Sequence, residues 1–166
     1  MDYKEEYAEE TTQTVETNYQ TERNKPMPSR NHAAIQLNIG FLLKSIYRKK
    51  YRAFSELTLN LSDWISVPDI SIFPYSKYDA SNDQIKVTES PLCVMEILSP
   101  TQTQSELISK TRQYFENGVK SVWVVFPELE NVYVFSSSTD YEIFRKGQIL
   151  KDLTMEIEMN VDEIFE

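Results

Sequence analysis

The chain of 166 residues suits one domain with a sizeable core, and its composition, 40% hydrophobic and 26% charged, is ordinary for a globular protein. The net charge of −9 argues against broad, nonspecific binding of nucleic acid, because affinity for phosphates comes largely from basic residues. No apolar stretch approaches the roughly 20 residues that cross a bilayer, and the acidic N-terminus is unlike a signal peptide, so we expect a cytoplasmic protein with no membrane partner.

The first 28 residues are polar and charged, and Pro26 and Pro28 close the stretch. This composition predicts a flexible arm in residues 1–28, followed by one domain in residues 29–166. The domain is expected to open with a helix over residues 31–52, capped by Asn31. Its buried stripe follows from apolar residues at helical spacing, namely Ile35, Ile39, Leu42, Leu43 and Ile46.

Five basic residues lie at the end of this predicted helix, between Lys44 and Arg52. Basic side chains are favoured at the negative end of the helix dipole. Contact with nucleic-acid phosphates is the other interpretation, and the sequence leaves both open.

The rest of the chain predicts an α/β fold. Residues 53–61 alternate as in a half-buried strand, whereas residues 91–98 are apolar except for Glu96, as in a central strand buried on both faces. A helix over residues 101–117, capped by Thr101 or Thr103, is expected to end at Gly118. The remaining predicted elements are strands at 67–73 and 120–126, a hairpin at 131–136 and 141–144, a strand at 155–159 and a short helix at 161–165. The strand–helix–strand unit over 92–126, together with the strands predicted before and after it, indicates a mixed sheet.

Two acidic residues in the predicted strands indicate a metal site. Asp69 begins one strand, and Glu96 lies inside an apolar strand, where an ionised carboxylate is costly to bury without a partner. A divalent cation held by both would offset that cost, since Mg²⁺ is normally bound by one or two carboxylates and water. The alternative for Glu96 is a salt bridge to a buried Arg or Lys.

Lys110 is the third candidate, because Glu106, Lys110 and Tyr114 share one face of the predicted helix. It either forms a surface pair with Glu106 or points toward Asp69 and Glu96. In the second arrangement its ammonium group would orient water and stabilise charge that develops on phosphorus.

Other chemistries are poorly supported by the sequence. His32 is the only histidine and Cys93 the only cysteine, so zinc, which usually takes three or four nitrogen or sulfur ligands, is not expected. Three glycines cannot build a phosphate-binding loop, and no serine has a recognisable histidine partner. Cys93, in an apolar run, is expected to be a buried small hydrophobe.

Four motifs occur in an order that is similar to their order in the Uma-type restriction endonucleases of bacteria, a branch of the PD-(D/E)XK superfamily. They are VPDISI (67–72), VMEILSPT (94–101), KTRQY (110–114) and GVKSVWVVFP (118–127). The resemblance spans about residue 30 to the C-terminal end. It implies a restriction-endonuclease-like mixed β-sheet flanked by helices, and a Mg²⁺-dependent endonuclease that hydrolyses DNA, with Mn²⁺ as a possible substitute.

By that resemblance Asp69 and Glu96 are the metal-binding acids, joined by the backbone carbonyl of Ile97. Leu98 stands where the superfamily's lysine usually lies, and Lys110 is its natural substitute. Secondary candidates are His32, Glu56 and Tyr114, of which His32 matches the family's histidine at the start of the first long helix and Glu56 stands in for an acid that the helix lacks.

The resemblance also implies a homodimer, because cutting both strands of a duplex needs two sites. The family's usual N-terminal Tyr-Glu-Leu and Gly-Glu stretch is hard to find in residues 1–30. This gap and the acidic charge favour the alternative of a catalytically weak or inactive nuclease-fold protein that serves binding or assembly. RNA is an alternative substrate.

Overall fold

A computed structural model describes residues 25–166 of the chain. The helices are α1 (Arg30–Tyr47), α2 (Gln104–Glu116) and α3 (Val161–Ile164). The strands are β1 (Tyr51–Ser55), β2 (Thr58–Leu61), β3 (Trp64–Ser66), β4 (Ile70–Pro74), β5 (Lys86–Val87), β6 (Cys93–Ile97), β7 (Ser121–Phe126), β8 (Asn131–Phe135), β9 (Tyr141–Arg145), β10 (Ile149–Asp152) and β11 (Ile157–Asn160). None of the helices in this described part is long and apolar enough to cross a membrane.

Six strands form the central mixed sheet in the order β1-β4-β6-β7-β8-β9. Strands β6 and β7 are parallel and joined through α2, whereas the other neighbours in this sheet are antiparallel. The small sheet β3-β2-β5 and the hairpin β10-β11 complete the fold. The predicted mixed α/β architecture is therefore confirmed.

The two faces of the central sheet carry separate hydrophobic clusters. Apolar residues of α1, β10, β11 and α3 pack against one face, where Met95 and Trp123 are fully buried. Apolar residues of α2 and β2 pack against the other, where Leu107 and Tyr114 are fully buried. Strands β6 and β7 are buried along their whole length because both faces are covered.

The first helix differs from the prediction at both ends. Its cap is Ser29 rather than Asn31, and the Ser29 hydroxyl accepts a hydrogen bond of 3.2 Å from the backbone N–H of His32. The helix ends at Tyr47 rather than Arg52, because the following residues enter β1 and pair with β4. Pairing in the sheet thus overrides the helical propensity of this basic segment.

The predicted stripe of this helix is largely confirmed. Ile35, Ile39, Leu42 and Leu43 are buried, but Ile46 in the last turn is 58% exposed.

The single strand predicted over residues 53–61 is instead two strands. The chain breaks at Glu56, whose backbone adopts a left-handed conformation with φ of 52°. Strand β2 then turns back through Ser62 and Asp63, both with positive φ, into β3, which the sequence did not predict. Strand β10 was also not predicted.

The second helix agrees closely with its prediction. Thr103 caps it, and Glu106 completes a capping box by accepting a hydrogen bond of 2.9 Å from the backbone N–H of Thr103. Gly118 follows the helix with φ of 89°, a conformation that glycine adopts without strain.

Candidate active site

Asp69 and Glu96 meet at neighbouring strand ends of the central sheet. Asp69 directly precedes β4, Glu96 lies in β6, and the paired residues Ile70 and Met95 stand beside them. The Oδ2 atom of Asp69 accepts a hydrogen bond of 2.7 Å from the backbone N–H of Ile97. Antiparallel pairing of the two motifs therefore brings their carboxylates to one place.

The carboxylate of Asp69 is 1% exposed and is held by two further donors. The ammonium group of Lys25 donates to Oδ1, and Nε2 of His32 lies 3.1 Å from the same atom. Burial by itself raises the pKa of Asp69, but the His32 hydrogen bond and the charges of Lys25 and His32 outweigh it, so this pKa lies below its ordinary value of 3.8. Asp69 is therefore ionised at neutral pH.

Glu96 is held by two residues one helical turn apart on α2. The Nζ atom of Lys110 and the hydroxyl of Tyr114 each lie 2.7 Å from Oε1 of Glu96. Helical spacing of four residues points both side chains at the same carboxylate. Lys110 thus lies against Glu96, whereas Glu106 turns back to cap its own helix.

Tyr114 links Glu96 to the β2-β3 hairpin. Its hydroxyl lies 2.6 Å from Oγ of Ser66, and its ring packs edge-to-face against Trp64 with centroids 4.9 Å apart. Burial, together with the neighbouring charge of Glu96, raises the pKa of Tyr114 well above 10.0. Tyr114 therefore keeps its proton and donates a hydrogen bond to Glu96, so its oxygen accepts a hydrogen bond from the Ser66 hydroxyl.

The remaining predicted candidates lie around Asp69. Oε1 of Glu56 is 3.5 Å from Nζ of Lys25, and the backbone N–H of Glu56 donates to the Asp69 carbonyl at 3.1 Å. The amide of Gln36 donates to the same carbonyl at 3.0 Å. The Nδ1 atom of His32 is buried with no hydrogen-bond partner among the residues that the structure describes.

The candidate metal ligands are oxygen atoms of two carboxylates. Within residues 25–166 no group of three or more His, Cys, Asp or Glu residues is arranged to hold a metal ion. Hard oxygen donors in this number fit Mg²⁺, which keeps several waters as ligands, and do not fit a structural zinc site. The backbone carbonyl of Ile97 stays the predicted third ligand.

The structure thus brings Asp69, Glu96, Lys110, His32, Glu56 and Tyr114 to one location, and their catalytic and metal-binding roles stay predictions. Four participants were missed, namely Lys25, Gln36, Trp64 and Ser66. Lys25 falls in the predicted flexible arm, yet it is 8% exposed and pairs with Asp69. Ser66 lies in the unpredicted strand β3. Most of the predicted arm, residues 1–24, lies outside the described residues, and the domain boundary at residue 28 stays a prediction.

Comparisons with known proteins agree with this fold. A solved structure of "a putative nuclease belonging to DUF820 from Anabaena variabilis" superposes with a TM-score of 0.74 at 24% sequence identity, over 84% of this chain and 83% of that one. At this identity the similarity establishes the shared fold. No curated protein matches the chain. The family Uma2, described as "Putative restriction endonuclease", matches residues 3–162, nearly the whole sequence. The protein therefore belongs to the Uma2 family.

Proposed function

We propose that this protein is a metal-dependent nuclease that hydrolyses phosphodiester bonds of DNA, with Asp69 and Glu96 as the ligands of Mg²⁺ or Mn²⁺. The observation that carries the proposal is the contact of Lys110 with Glu96, at 2.7 Å, beside the carboxylate of Asp69. Two buried carboxylates with an adjoining lysine form a set of groups suited to phosphate chemistry. The family and the nuclease described for the similar structure support the same reaction class.

A divalent cation held by Asp69 and Glu96 would supply positive charge for the phosphate and would lower the pKa of a water molecule near phosphorus. Glu96 is oriented for this by the Tyr114 hydroxyl, which keeps its proton. Lys110 is 17% exposed at its side chain, so its ammonium group contacts Glu96 and still reaches solvent. Its remaining N–H groups are available to donate to a phosphate oxygen as negative charge develops there.

Lys25 limits metal binding in this arrangement. Its ammonium group neutralises Asp69 within the protein and lies in direct contact with a candidate metal ligand. A cation at Asp69 must therefore compete with Lys25 for the carboxylate.

The test combines metal binding with cleavage. Mg²⁺ and Mn²⁺ are titrated into the purified protein by calorimetry, and cleavage of DNA is followed with each ion. Asp69→Asn and Glu96→Gln keep the side-chain shape and should abolish both binding and cleavage, whereas Asp140→Asn, on an exposed turn, should change neither. Thermal unfolding establishes that each variant is folded. Cleavage that survives both active-site changes would exclude this site.

A second function is a nuclease-fold protein that binds or assembles without turnover. The observation that favours it is the neutralisation of Asp69 by the ammonium group of Lys25, which reduces the electrostatic need for a metal ion. This function predicts no metal-dependent heat in the same titration and no cleavage of DNA or RNA. Specific activity that is lost in Asp69→Asn would rule it out.

A further inference from the structure

A groove of about 890 Å³ adjoins the candidate active site, between the β2-β3 hairpin and α2. Lys25 and Lys110 line it, and these are the two side chains that contact Asp69 and Glu96. Because both carboxylates are almost fully buried, the two lysines stand between them and the groove. A ligand in the groove therefore meets the partly exposed Lys110 before it meets either carboxylate.

The lining of the groove is less acidic than the molecule as a whole, and both of its lysines are paired with carboxylates behind them. Its lining contains two lysines and one acid, Glu106, whose carboxylate is engaged in the capping box, whereas the whole chain has a net charge of −9. The other residues of the α2 side are uncharged and carry hydrogen-bonding groups, among them Gln102, Ser105 and Ser109. This lining suits a polyanion that is contacted at few phosphates.

A second cleft, of about 610 Å³, provides the contrast. It is lined by exposed residues of the loop after β4, with Arg52 and Lys77 set against three acids, Asp79, Asp83 and Glu89. Its net charge is therefore negative. It also offers an aromatic side chain, Tyr78, which is 80% exposed.

Trp64 forms one wall of the groove near the active site. Its indole is half-buried, and edge-to-face packing against Tyr114, at 4.9 Å between centroids, fixes its orientation. Tyr114 is the residue that also orients Glu96, so the ring and the carboxylate are positioned by one side chain. A fixed aromatic ring beside cationic groups is the combination by which proteins hold unpaired bases.

We propose that this groove binds a single strand of nucleic acid, with one unpaired base stacked on Trp64 and an adjacent phosphate contacted by Lys110. The inference rests on the proposed nuclease function and names its substrate class. A base inside a duplex is not available for such stacking. A single-stranded substrate also needs only one active site, so cleavage does not require the homodimer expected from the family resemblance.

The chain contains a built-in reporter for this contact. It has two tryptophans, and Trp123 is fully buried in the core, so a ligand in the groove quenches the fluorescence of Trp64. The probes are single-stranded oligothymidylate and oligouridylate of about 12 nucleotides, a length within the range that single-strand sites cover, and a DNA duplex of equal length. EDTA is present, so that binding is measured without cleavage. We expect quenching by a single strand and none by the duplex, and the tighter of the two single strands identifies the better ligand for the groove.

Substitutions then assign the signal to Trp64. Trp64→Leu should weaken binding of labelled oligothymidylate or oligouridylate, whichever binds tighter, by about 5- to 150-fold, the range for stacking one base on an aromatic side chain. Trp64→Phe, which keeps a ring, should restore most of the affinity. Tyr78→Leu is the matched control in the second cleft and should bind as the wild-type protein does. Single-strand binding without quenching, or equal affinities for wild type and Trp64→Leu, would overturn the proposal.

The outcomes for the two proposals are separable. In one outcome, metal-dependent cleavage requires Asp69, KM is unchanged in Trp64→Leu, and no quenching is seen. This outcome supports the proposed hydrolysis and contradicts the proposed binding of a single strand in the groove. In the other outcome, quenching requires Trp64 but no substrate is cleaved. This outcome supports the binding of a single strand in the groove and contradicts the proposed hydrolysis.

Discussion

The ammonium group of Lys25 lies against the carboxylate of Asp69, and both side chains are nearly buried, at 6% and 1% exposure. Lys25 thus places a positive charge against the carboxylate that is proposed to bind a metal ion. Removal of one member of a buried pair is costly, because the remaining charge has lost its partner.

The first prediction concerns Lys25→Met. Without added metal, this variant should lose about 3 kcal/mol of unfolding free energy, since Asp69 keeps only His32 and the Ile97 amide as partners. Its affinity for Mn²⁺ should rise by at least about tenfold, which corresponds to about 1.4 kcal/mol, because no ammonium group competes for the carboxylate. Calorimetry and thermal unfolding with and without Mn²⁺ measure both effects.

Lys50→Met is the control for that experiment, because Lys50 pairs with Glu156 on the surface. It should change neither metal affinity nor the stabilisation by Mn²⁺. Equal Mn²⁺ affinities for Lys25→Met and wild type would show that Lys25 does not compete.

The second prediction separates catalysis from metal binding at Lys110. Lys110→Met should lower kcat by about 100-fold or more, the usual loss when a group that stabilises transition-state charge is removed. Metal affinity should not fall, because the variant removes a positive charge from Glu96. Lys146→Met, which breaks an exposed pair with Glu130, is the matched control. A lysine that only shields Glu96 would leave kcat unchanged.

The third prediction concerns alkaline pH. The pKa of Tyr114 is higher in the folded protein than its ordinary value of 10.0, so above about pH 10 the unfolded chain loses this proton while the folded chain keeps it. Stability should therefore fall as pH rises, by up to about 1.4 kcal/mol per pH unit from this group. In Tyr114→Phe this contribution should be absent, and the stability curve should be flatter above pH 10.

Urea unfolding at several pH values from 8 to 11 or so measures that slope, which linkage relates directly to proton uptake. Tyr78→Phe, at a hydroxyl that solvent reaches in both states, serves as the control. Identical alkaline slopes for wild type and Tyr114→Phe would contradict the prediction.

The sequence predicted Glu96 because it breaks an apolar pattern, whereas Asp69 alone is a weak signal and was chosen as its partner. Glu96 is an acid in an otherwise apolar strand, and Asp69 begins the strand that pairs with it. Their spacing places Lys110 and Tyr114 on one helical face. It does not decide whether the ammonium group of Lys110 contacts Glu106 or Glu96. The capping box decides it, since it engages Glu106 at the start of the helix.

The parts that the sequence could not predict depend on distant contacts or unusual backbone. Lys25 meets a partner 44 positions later, and no local pattern distinguishes it from other lysines in a polar segment. Strand β3 follows a turn in which Ser62 and Asp63 both have positive φ, without the glycine or asparagine that usually signals such a turn. Trp64 and Ser66 were missed for this reason.

The last prediction tests whether the fold can be weakened without changing the site. Asp152, at the end of β10, is 2% exposed and accepts hydrogen bonds from Ser121 at 2.5 Å, from the Trp123 indole at 2.7 Å and from the backbone of Met155 at 3.0 Å. The bonds from Ser121 and Trp123 attach the β10-β11 hairpin to β7, and the bond from Met155 lies within the hairpin. Asp152→Ala leaves three buried donors without this acceptor and should cost about 3 kcal/mol or more of unfolding free energy.

Below its lower melting temperature, Asp152→Ala should bind Mn²⁺ as the wild-type protein does, because Asp152 makes none of the contacts that hold Asp69 and Glu96. Asp83→Ala, at an exposed loop position, should leave stability within about 0.5 kcal/mol of the wild-type value. Unfolding and calorimetry at one temperature below both transitions compare the three proteins. Loss of metal binding in folded Asp152→Ala would mean that the hairpin and the site are coupled through β7. The candidate site would then extend beyond the residues that contact its two carboxylates.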